Sequence, residues 1–227
     1  MTPSLSVDHL NSRFLDGLAK PERESILNAA TERRFDANSV VTDQGQPADH
    51  LFLLTKGRGR FFFITEDGRK LILLWLPAGE ILGVRTLLPV PSSYVASAEV
   101  LRESWALVWD RNTIRDLAAR YPRLLDNALL IASEYLAEHM ESYIALTSHN
   151  ARQRLVHVLT TIAPSIGRKV PNGIELDVTN EELANAANVT LFTASRVLSE
   201  WQRTGDVLKS RGKLLLRCPE QLLGQSA

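Results

Sequence analysis

The sequence contains very little cysteine: Cys218 is the single one among 227 residues. One thiol excludes an intramolecular disulfide, and it argues against an iron–sulfur cluster held by cysteines of this chain alone. No apolar run reaches the 18 residues that a membrane-spanning helix needs. The N-terminal stretch lacks the basic start and apolar core of a secretory signal. We therefore expect a cytoplasmic protein with no membrane partner.

Motifs of catalysis are missing as well. The chain has neither a Gly-x-Ser-x-Gly elbow nor a Gly-Lys-Ser/Thr phosphate loop. Within 35–109, the region richest in β-type residues, His50 is the only histidine beside Glu66, Glu80 and Glu99. These residues form no pattern of metal ligands on neighbouring strands. We expect neither an enzyme nor a metal site.

Excess charge of one sign is also absent, with 26 basic and 26 acidic side chains. This balance argues against a protein that coats nucleic acid without specificity. The charges are unevenly spread, because 1–150 has 16 basic and 19 acidic residues whereas 151–227 has 10 and 7. A mildly basic C-terminal part joined to a sensor part fits this distribution.

The order of patterns predicts an α+β chain of three segments. Residues 10–34 have helical spacing of apolar residues, and 35–109 contain short β-like runs separated by turns about every ten residues, as in a jelly roll. The Phe61–Phe63 run and Trp75 are predicted to lie in its core. A long helix then covers 111–147, and a hinge is expected at Ser148–Asn150. The predicted domains are 1–110, 111–147 and 148–227.

The segment 111–147 carries a heptad seam, in which apolar residues alternate steps of four and three. Such a seam lets two identical helices pack side by side, although docking onto the chain's own β-domain is the alternative. The predicted seam consists of Leu125, Leu129, Ala132, Leu136, His139, Tyr143 and Leu146.

Residues 179–213 have the pattern of a winged helix-turn-helix. Thr179 and Glu182 form a capping box, and the run "VLKSRGKLLL" predicts a hairpin with its tip at Arg211-Gly212. The second helix, about 190–203, has a buried stripe and an opposite face that can meet DNA. The predicted DNA-contacting residues are Thr190, Leu191, Phe192, Ser195, Arg196, Ser199 and Arg203 on this helix and Lys209, Arg211 and Lys213 on the wing.

This order, with "PAGEILG" in the β-region and "RGKLLLRCPEQL" after the helix-turn-helix, resembles the cAMP receptor protein/fumarate-nitrate regulator family. The resemblance covers nearly the whole chain. It implies a cyclic-nucleotide-binding-like sensor domain, a long dimerisation helix and a homodimer. It further implies binding to an inverted-repeat operator in double-stranded DNA, regulation of transcription and contact with RNA polymerase.

The effector turn departs from the cAMP-binding members. In those members an Arg-Ser/Thr-Ala motif follows the Gly-Glu turn, whereas this chain has no arginine between Arg85 and Arg102. A buried cyclic phosphate would lack its guanidinium partner, so we do not expect cAMP to bind. The candidate pocket residues are Gly79, Glu80, Gly83, Arg85, Ser92 and Ser93. Arg85 has a plainer interpretation as a surface or dimer-facing cation.

Other cofactors follow from the remaining side chains. An iron–sulfur cluster is not expected, and Cys218 is interpreted as a bystander thiol. Haem stays an open alternative, since any one of His50, His139, His149 and His157 could be an axial ligand. For His139 three roles are open: a register residue on the seam, a pH switch and a ligand.

The recognition helix departs from the family too. Where relatives have a base-reading glutamate, this chain has Phe192, although Ser195 and Arg196 are retained. Arg196 can pair with guanine, and Leu191 and Phe192 can contact a thymine methyl group. The alternative is that Phe192 packs against another domain or partner. In that case the chain would be a haem or small-molecule sensor whose helix-turn-helix serves protein interaction.

Overall fold

The fold is taken from a computed structural model, which describes residues 11–210 and 212–217. Two compact units are formed. The first comprises the described residues up to Phe62 together with Leu76–Leu136. The second comprises Phe63–Trp75 together with the described residues from Ala137 onward. The predictions for Arg211 and Cys218 fall on residues outside this description.

A short 3-10 turn at Arg13–Leu15 precedes the regular elements. In chain order these are α1 Lys20–Asn28, β1 Thr31–Phe35, β2 Val40–Thr42, β3 His50–Lys56, β4 Arg58–Ile64, β5 Lys70–Pro77, β6 Ile81–Leu82, β7 Ser97–Val100, β8 Ser104–Asp110, α2 Arg111–Arg120, α3 Arg123–Ser148, α4 Ala151–Ile166, β9 Arg168–Val170, β10 Gly173–Leu176, α5 Asn180–Ala186, α6 Leu191–Thr204, β11 Val207–Ser210 and β12 Lys213–Leu216.

Strands β1–β8 form two four-stranded sheets, in the orders β1-β8-β3-β6 and β2-β7-β4-β5. The antiparallel β-region confirms the predicted jelly-roll architecture. Strand β3 is covered on both faces, because its consecutive residues Leu51 to Leu54 are all buried and successive side chains point to opposite sides. Leu51 and Leu53 share one core with Phe14, Ile26 and Ile114.

Three details of the β-region differ from the sequence prediction. Residues 31–34, expected to be helical, belong to β1, which pairs with β8 through Phe35↔Ser104 to Thr31↔Val108. Their many charges hide the strand, whose pairing comes from residues far along the chain. The two-residue strand β6 was also not predicted. Phe62 and Trp75 are buried as expected, but Phe63 is exposed because it lies on the other face of β4.

The helical segment predicted over 111–147 consists of two helices rather than one. Helix α2 ends at Arg120 and α3 begins at Arg123, with Pro122 between them. Proline lacks a backbone N–H and disfavours helical geometry in the residue before it, so the break falls there. Helix α3 ends at Ser148 and α4 begins at Ala151, so the helical structure is interrupted where the hinge is expected.

The second unit contains α4, α5, α6 and a third antiparallel sheet in the order β11-β12-β10-β9. Helix α4 continues through Pro164 to Ile166, because a proline in the last turn removes only one hydrogen bond. The β9–β10 hairpin was not predicted. Its bend needs Gly173, whose φ is +137° and whose place a Cβ could not occupy, since the Leu216 carbonyl oxygen would lie 1.9 Å from it.

Candidate nucleic-acid interface

Helix α5 starts at a capping box, as predicted. The Glu182 backbone N–H donates to Thr179 Oγ1 at 3.1 Å, and the Thr179 N–H donates to Glu182 Oε2 at 2.7 Å. These bonds satisfy two backbone donors that a helix start leaves unpaired. The turn between α5 and α6 contains Asn188 in the left-handed region, at φ 47°. Asparagine tolerates that conformation better than most residues do.

Helix α6 is held by one buried stripe. Thr190 caps it by accepting from the Thr193 N–H at 3.1 Å, and Gly205, at φ 85°, ends it. The buried residues of the stripe are Ala194, Val197, Leu198 and Trp201, at the predicted i, i+3, i+4, i+7 spacing. This anchoring leaves the opposite side of the helix free.

The free side of α6 presents the residues predicted to contact DNA. Leu191 is 51% exposed and Phe192 is 77% exposed. Thr190, Arg196, Ser199 and Arg203 are exposed and Ser195 is half-buried. The Ser199 hydroxyl donates to the Ser195 carbonyl at 2.7 Å, so it is engaged within its own helix. An exposed phenylalanine next to an exposed arginine is suited to reading apolar and hydrogen-bonding features side by side.

The wing is the hairpin of β11 and β12, whose register runs from Val207↔Leu216 to Ser210↔Lys213. Partial burial lowers the pKa of Lys209. Lys213 is exposed, and its Nζ donates to Glu175 Oε1 at 3.1 Å. The Arg168 guanidinium donates to the same carboxylate oxygen at 2.6 Å. Sequence reasoning missed Glu175 and Arg168, which lie on the neighbouring hairpin β9–β10.

Hydrogen bonds to these cations also set the ionisation of Glu175. The bond from Arg168, and then that from Lys213, lowers the pKa of the Glu175 carboxyl group. The Glu175 carboxylate at the base of the wing therefore stays charged. It neutralises part of the positive charge of Arg168 and Lys213.

A second cluster lies in the first unit, around the predicted effector turn. Glu80 accepts from Arg13 Nη2 at 2.9 and 3.0 Å and from the Tyr135 hydroxyl at 2.7 Å. Arg13 also pairs with Glu134. Partial burial acts against protonation of Arg13, but the hydrogen bond and charge of Glu80 raise its pKa on balance. The carboxylate of the turn is thus already engaged by side chains of the same chain.

The other predicted pocket residues are held mainly through their backbones. A Cβ at Gly79 would lie 2.5 Å from the Asn11 carbonyl oxygen, and one at Gly83 would lie 2.5 Å from that of His50. Ser92 accepts from the Ala48 N–H at 2.8 Å, and Ser93 forms a β-bridge with Pro47. The Arg85 guanidinium, which is half-buried, makes no hydrogen bond or ion pair with any described residue.

Helix α3 has one buried and one exposed face. Leu124, Ala128 and Ile131 are buried in the core of the first unit. The predicted seam lies on the other side, where Ala132 is half-buried and the exposed members are Leu125, Leu129, Leu136, His139, Tyr143 and Leu146. Leu130, Met140 and Ile144, which the heptad pattern omitted, widen this apolar stripe.

Two of the histidines considered as cofactor ligands lie close together. The rings of His149 and His157 lie 6.5 Å apart between centroids. Burial, followed by the charge of His149, lowers the pKa of His157, and Glu141 opposes this shift. His139 is exposed on α3 and His50 is exposed at the start of β3. In residues 11–210 and 212–217, no group of three or more His, Cys, Asp or Glu side chains is placed to hold a metal ion.

Among the helices of residues 11–210 and 212–217, none combines the length and the apolar character required to cross a bilayer.

Two family models match this chain. The cyclic nucleotide-binding domain matches residues 32–121, and the Crp-like helix-turn-helix domain matches residues 153–224. Together they cover the β-region with α2 and almost all of the unit that contains α4–α6.

Curated relatives match along most of their length. The anaerobic regulatory protein of Bacillus subtilis is 24% identical over 196 residues, covering 85% of this chain and 82% of that protein. The electron transport regulator A of Shewanella oneidensis is 25% identical over 209 residues, covering 91% and 80%.

Solved structures share the fold. The c-di-GMP responsive global regulator CLP of Xanthomonas campestris superposes with a TM-score of 0.77 at 20% identity, covering 87% of this chain and 99% of that one. FixK2 of Bradyrhizobium japonicum gives a TM-score of 0.76 at 19% identity, covering 87% and 98%.

Proposed function

Because this chain belongs to the cAMP receptor protein/fumarate-nitrate regulator family of transcription regulators, we propose that it is a homodimer that binds an inverted-repeat operator in double-stranded DNA. The single observation that carries this proposal is the division of α6 into two sides. Ala194, Val197, Leu198 and Trp201 anchor it, while Phe192 stays 77% exposed beside Arg196. A helix held this way enters a major groove without losing its own packing.

Dimerisation is proposed to occur through α3. Its exposed stripe of leucine, methionine, tyrosine and isoleucine side chains would otherwise remain in water. A second copy of α3 covers the stripe by the heptad spacing. Two-fold symmetry then puts the two α6 helices at half-sites about 34–36 Å, or one helical turn, apart.

The base-reading roles are divided among neighbouring residues of α6. Arg196 donates two hydrogen bonds to guanine O6 and N7, and Leu191 and Phe192 contact a thymine methyl group. The cations of the wing, Lys209 and Lys213, contact phosphates and position the domain without reading sequence. The resulting half-site differs from that of relatives with a glutamate in place of Phe192.

The effector of the sensor domain is proposed not to be cAMP. The carboxylate that would hold a ribose is 17% exposed and already accepts hydrogen bonds from Arg13 and Tyr135. A cyclic phosphate would find only Arg85 in the turn, on a 3-10 helix that follows Gly83. We likewise propose that the cysteines of one chain do not hold an iron–sulfur cluster, since Cys218 is the only cysteine. Haem remains a second candidate effector. We also propose that the DNA-bound dimer contacts RNA polymerase.

Selection from a random DNA library with the purified protein, at a stated salt concentration, tests this function. We expect an inverted repeat to be enriched. Arg196→Ala should then cost about 1–3 kcal/mol and relax specificity at one base pair, whereas Lys213→Ala should weaken all sequences alike. Equal relaxation by both variants would contradict the assigned roles.

A second function is favoured by the same exposed apolar pair. Leu191 and Phe192 at the start of α6 would also suit a helix-turn-helix that binds a protein rather than DNA. Loss of all DNA affinity, with and without haem, would support that alternative.

A titration calorimetry experiment with cAMP, expected to show no heat of binding, tests the effector proposal separately.

A further inference from the structure

Ser195 of the recognition helix is bonded to a side chain of the preceding helix. Asn180, the first residue of α5, donates from Nδ2 to Ser195 Oγ at 3.1 Å. The two residues are 15 positions apart and this bond is part-buried. It therefore fixes the hydroxyl group of the residue that precedes Arg196.

The hydroxyl of Ser195 keeps its proton for another partner. A serine hydroxyl has one proton to donate and two lone pairs that accept. Helical serines often give that proton to a carbonyl one turn back, as Ser199 does to Ser195 at 2.7 Å. Ser195 makes no such bond to any residue that the structure describes. One of its lone pairs is occupied by Asn180, and accepting a hydrogen bond makes a hydroxyl a better donor.

We propose that Asn180 is a specificity-determining positioning residue, which keeps Ser195 a hydrogen-bond donor to a base edge in the major groove. This inference rests on the proposed DNA-reading function. Guanine offers O6 and N7 as acceptors, adenine offers N7 and thymine offers O4, whereas cytosine offers only a donor, its N4 amino group. Ser195 therefore disfavours cytosine at the base it faces.

Asn180→Asp tests the assignment because it changes the direction of the hydrogen bond. A carboxylate only accepts, so the Ser195 hydroxyl would donate its hydrogen bond to the new carboxylate and present only its lone pairs to DNA. The matched control is Asn185→Asp, which adds the same charge on α5 at a half-buried residue whose side chain has no hydrogen bond within the described ranges. Ser195→Ala removes the hydroxyl altogether.

The readout is base preference in the selected DNA, compared among the native protein and the three variants. In the native protein and Asn185→Asp, cytosine should be depleted at one position of each half-site. Asn180→Asp should shift the guanine-to-cytosine ratio there toward cytosine by about fivefold, the equivalent of one net hydrogen bond. Ser195→Ala should abolish the preference at that position and leave the others unchanged.

Failure of this inference is distinguishable from failure of the proposed function. A site enriched by the native protein, with the same preferences in Asn180→Asp and Asn185→Asp, overturns the role of Asn180 alone. Retention of every preference by Ser195→Ala also overturns it, whether or not the Asn180 variant folds. If the native protein enriches no site, the DNA-reading function and this inference fall together.

Discussion

Leu136→Glu tests whether the apolar stripe of α3 joins two copies of the chain. Within one chain Leu136 keeps 63% of its surface exposed. Full burial of a leucine contributes roughly 1.5–3 kcal/mol, so covering the remainder contributes about 1–2 kcal/mol. In a two-fold symmetric dimer Leu136 is covered in both copies, so its burial contributes about 2–4 kcal/mol per dimer. At about 1.4 kcal/mol per decade, the dissociation constant should rise about 30- to 700-fold, and the buried charge adds to that.

The assay is light scattering coupled to size exclusion, over a dilution series of the native protein and the variant. Glutamate is a good helix former and Leu136 is exposed in the single chain, so the unfolding free energy of the monomer should change by less than about 0.5 kcal/mol. Circular dichroism checks that the fold is kept. Ser148→Glu is the matched control, since it puts the same charge on an exposed residue of α3 outside the stripe.

If the variant dissociated at the same concentration as the native protein, the assignment of the stripe to the dimer interface would be refuted. In that case the stripe would be covered by something other than a second α3. If Ser148→Glu were also monomeric, any added charge on α3 would disrupt the dimer. The loss of the dimer in Leu136→Glu would then no longer point to the apolar stripe.

Three further predictions concern the second unit. Trp201→Ala should lower its unfolding free energy by about 3–5 kcal/mol, because the side chain is fully buried; a loss below 1 kcal/mol in urea titration would contradict this. Thr179→Ala should cost about 1 kcal/mol by removing the cap that bonds Glu182, measured in the same titration against an unchanged result for Thr147→Ala on α3. Burial lowers the pKa of His157 below its ordinary 6.5, so the folded chain binds fewer protons than the unfolded chain. The stability that is present above pH 6.5 is therefore lost as the pH falls through the pKa of the folded state. His157→Gln should therefore reduce the fall in unfolding free energy between about pH 7.5 and 5.5, as compared with His50→Gln, and an equal fall in both would refute it.

The helix-turn-helix could be predicted because its signals are local. Thr179 and Glu182 lie three residues apart, and the stripe that ends at Trp201 repeats within a single helix. Gly205 marks the end of α6 by its left-handed backbone. Each signal acts within about two helical turns, so the sequence alone contains it. The break at Pro122 was equally local, and the sequence prediction should have placed it.

The contacts that engage the effector turn and the wing could not be predicted in this way. Arg13 and Glu80 are 67 residues apart, and Tyr135 and Glu80 are 55 apart. Lys213 meets Glu175 across 38 residues. Such pairs form only after strands and helices have assembled, and no spacing rule along the chain selects them. Strand β1 was missed for the same reason, because its pairing with β8 outweighs the weak strand preference of its charged residues.

Apolar exposure has different meanings at the two places where this chain shows it. On α3 the exposed leucines continue along the helix for several turns, with no lysine or arginine among the seam residues, so another apolar surface of similar length is needed to cover them. On α6 the exposed pair Leu191 and Phe192 is confined to the first turn and is followed by Arg196 and Arg203. A protein partner that covered Phe192 would have to bury or pair those guanidinium groups, at a cost that phosphates and guanine edges do not impose. The mixture of one apolar turn with cations therefore favours DNA over protein as the ligand of α6.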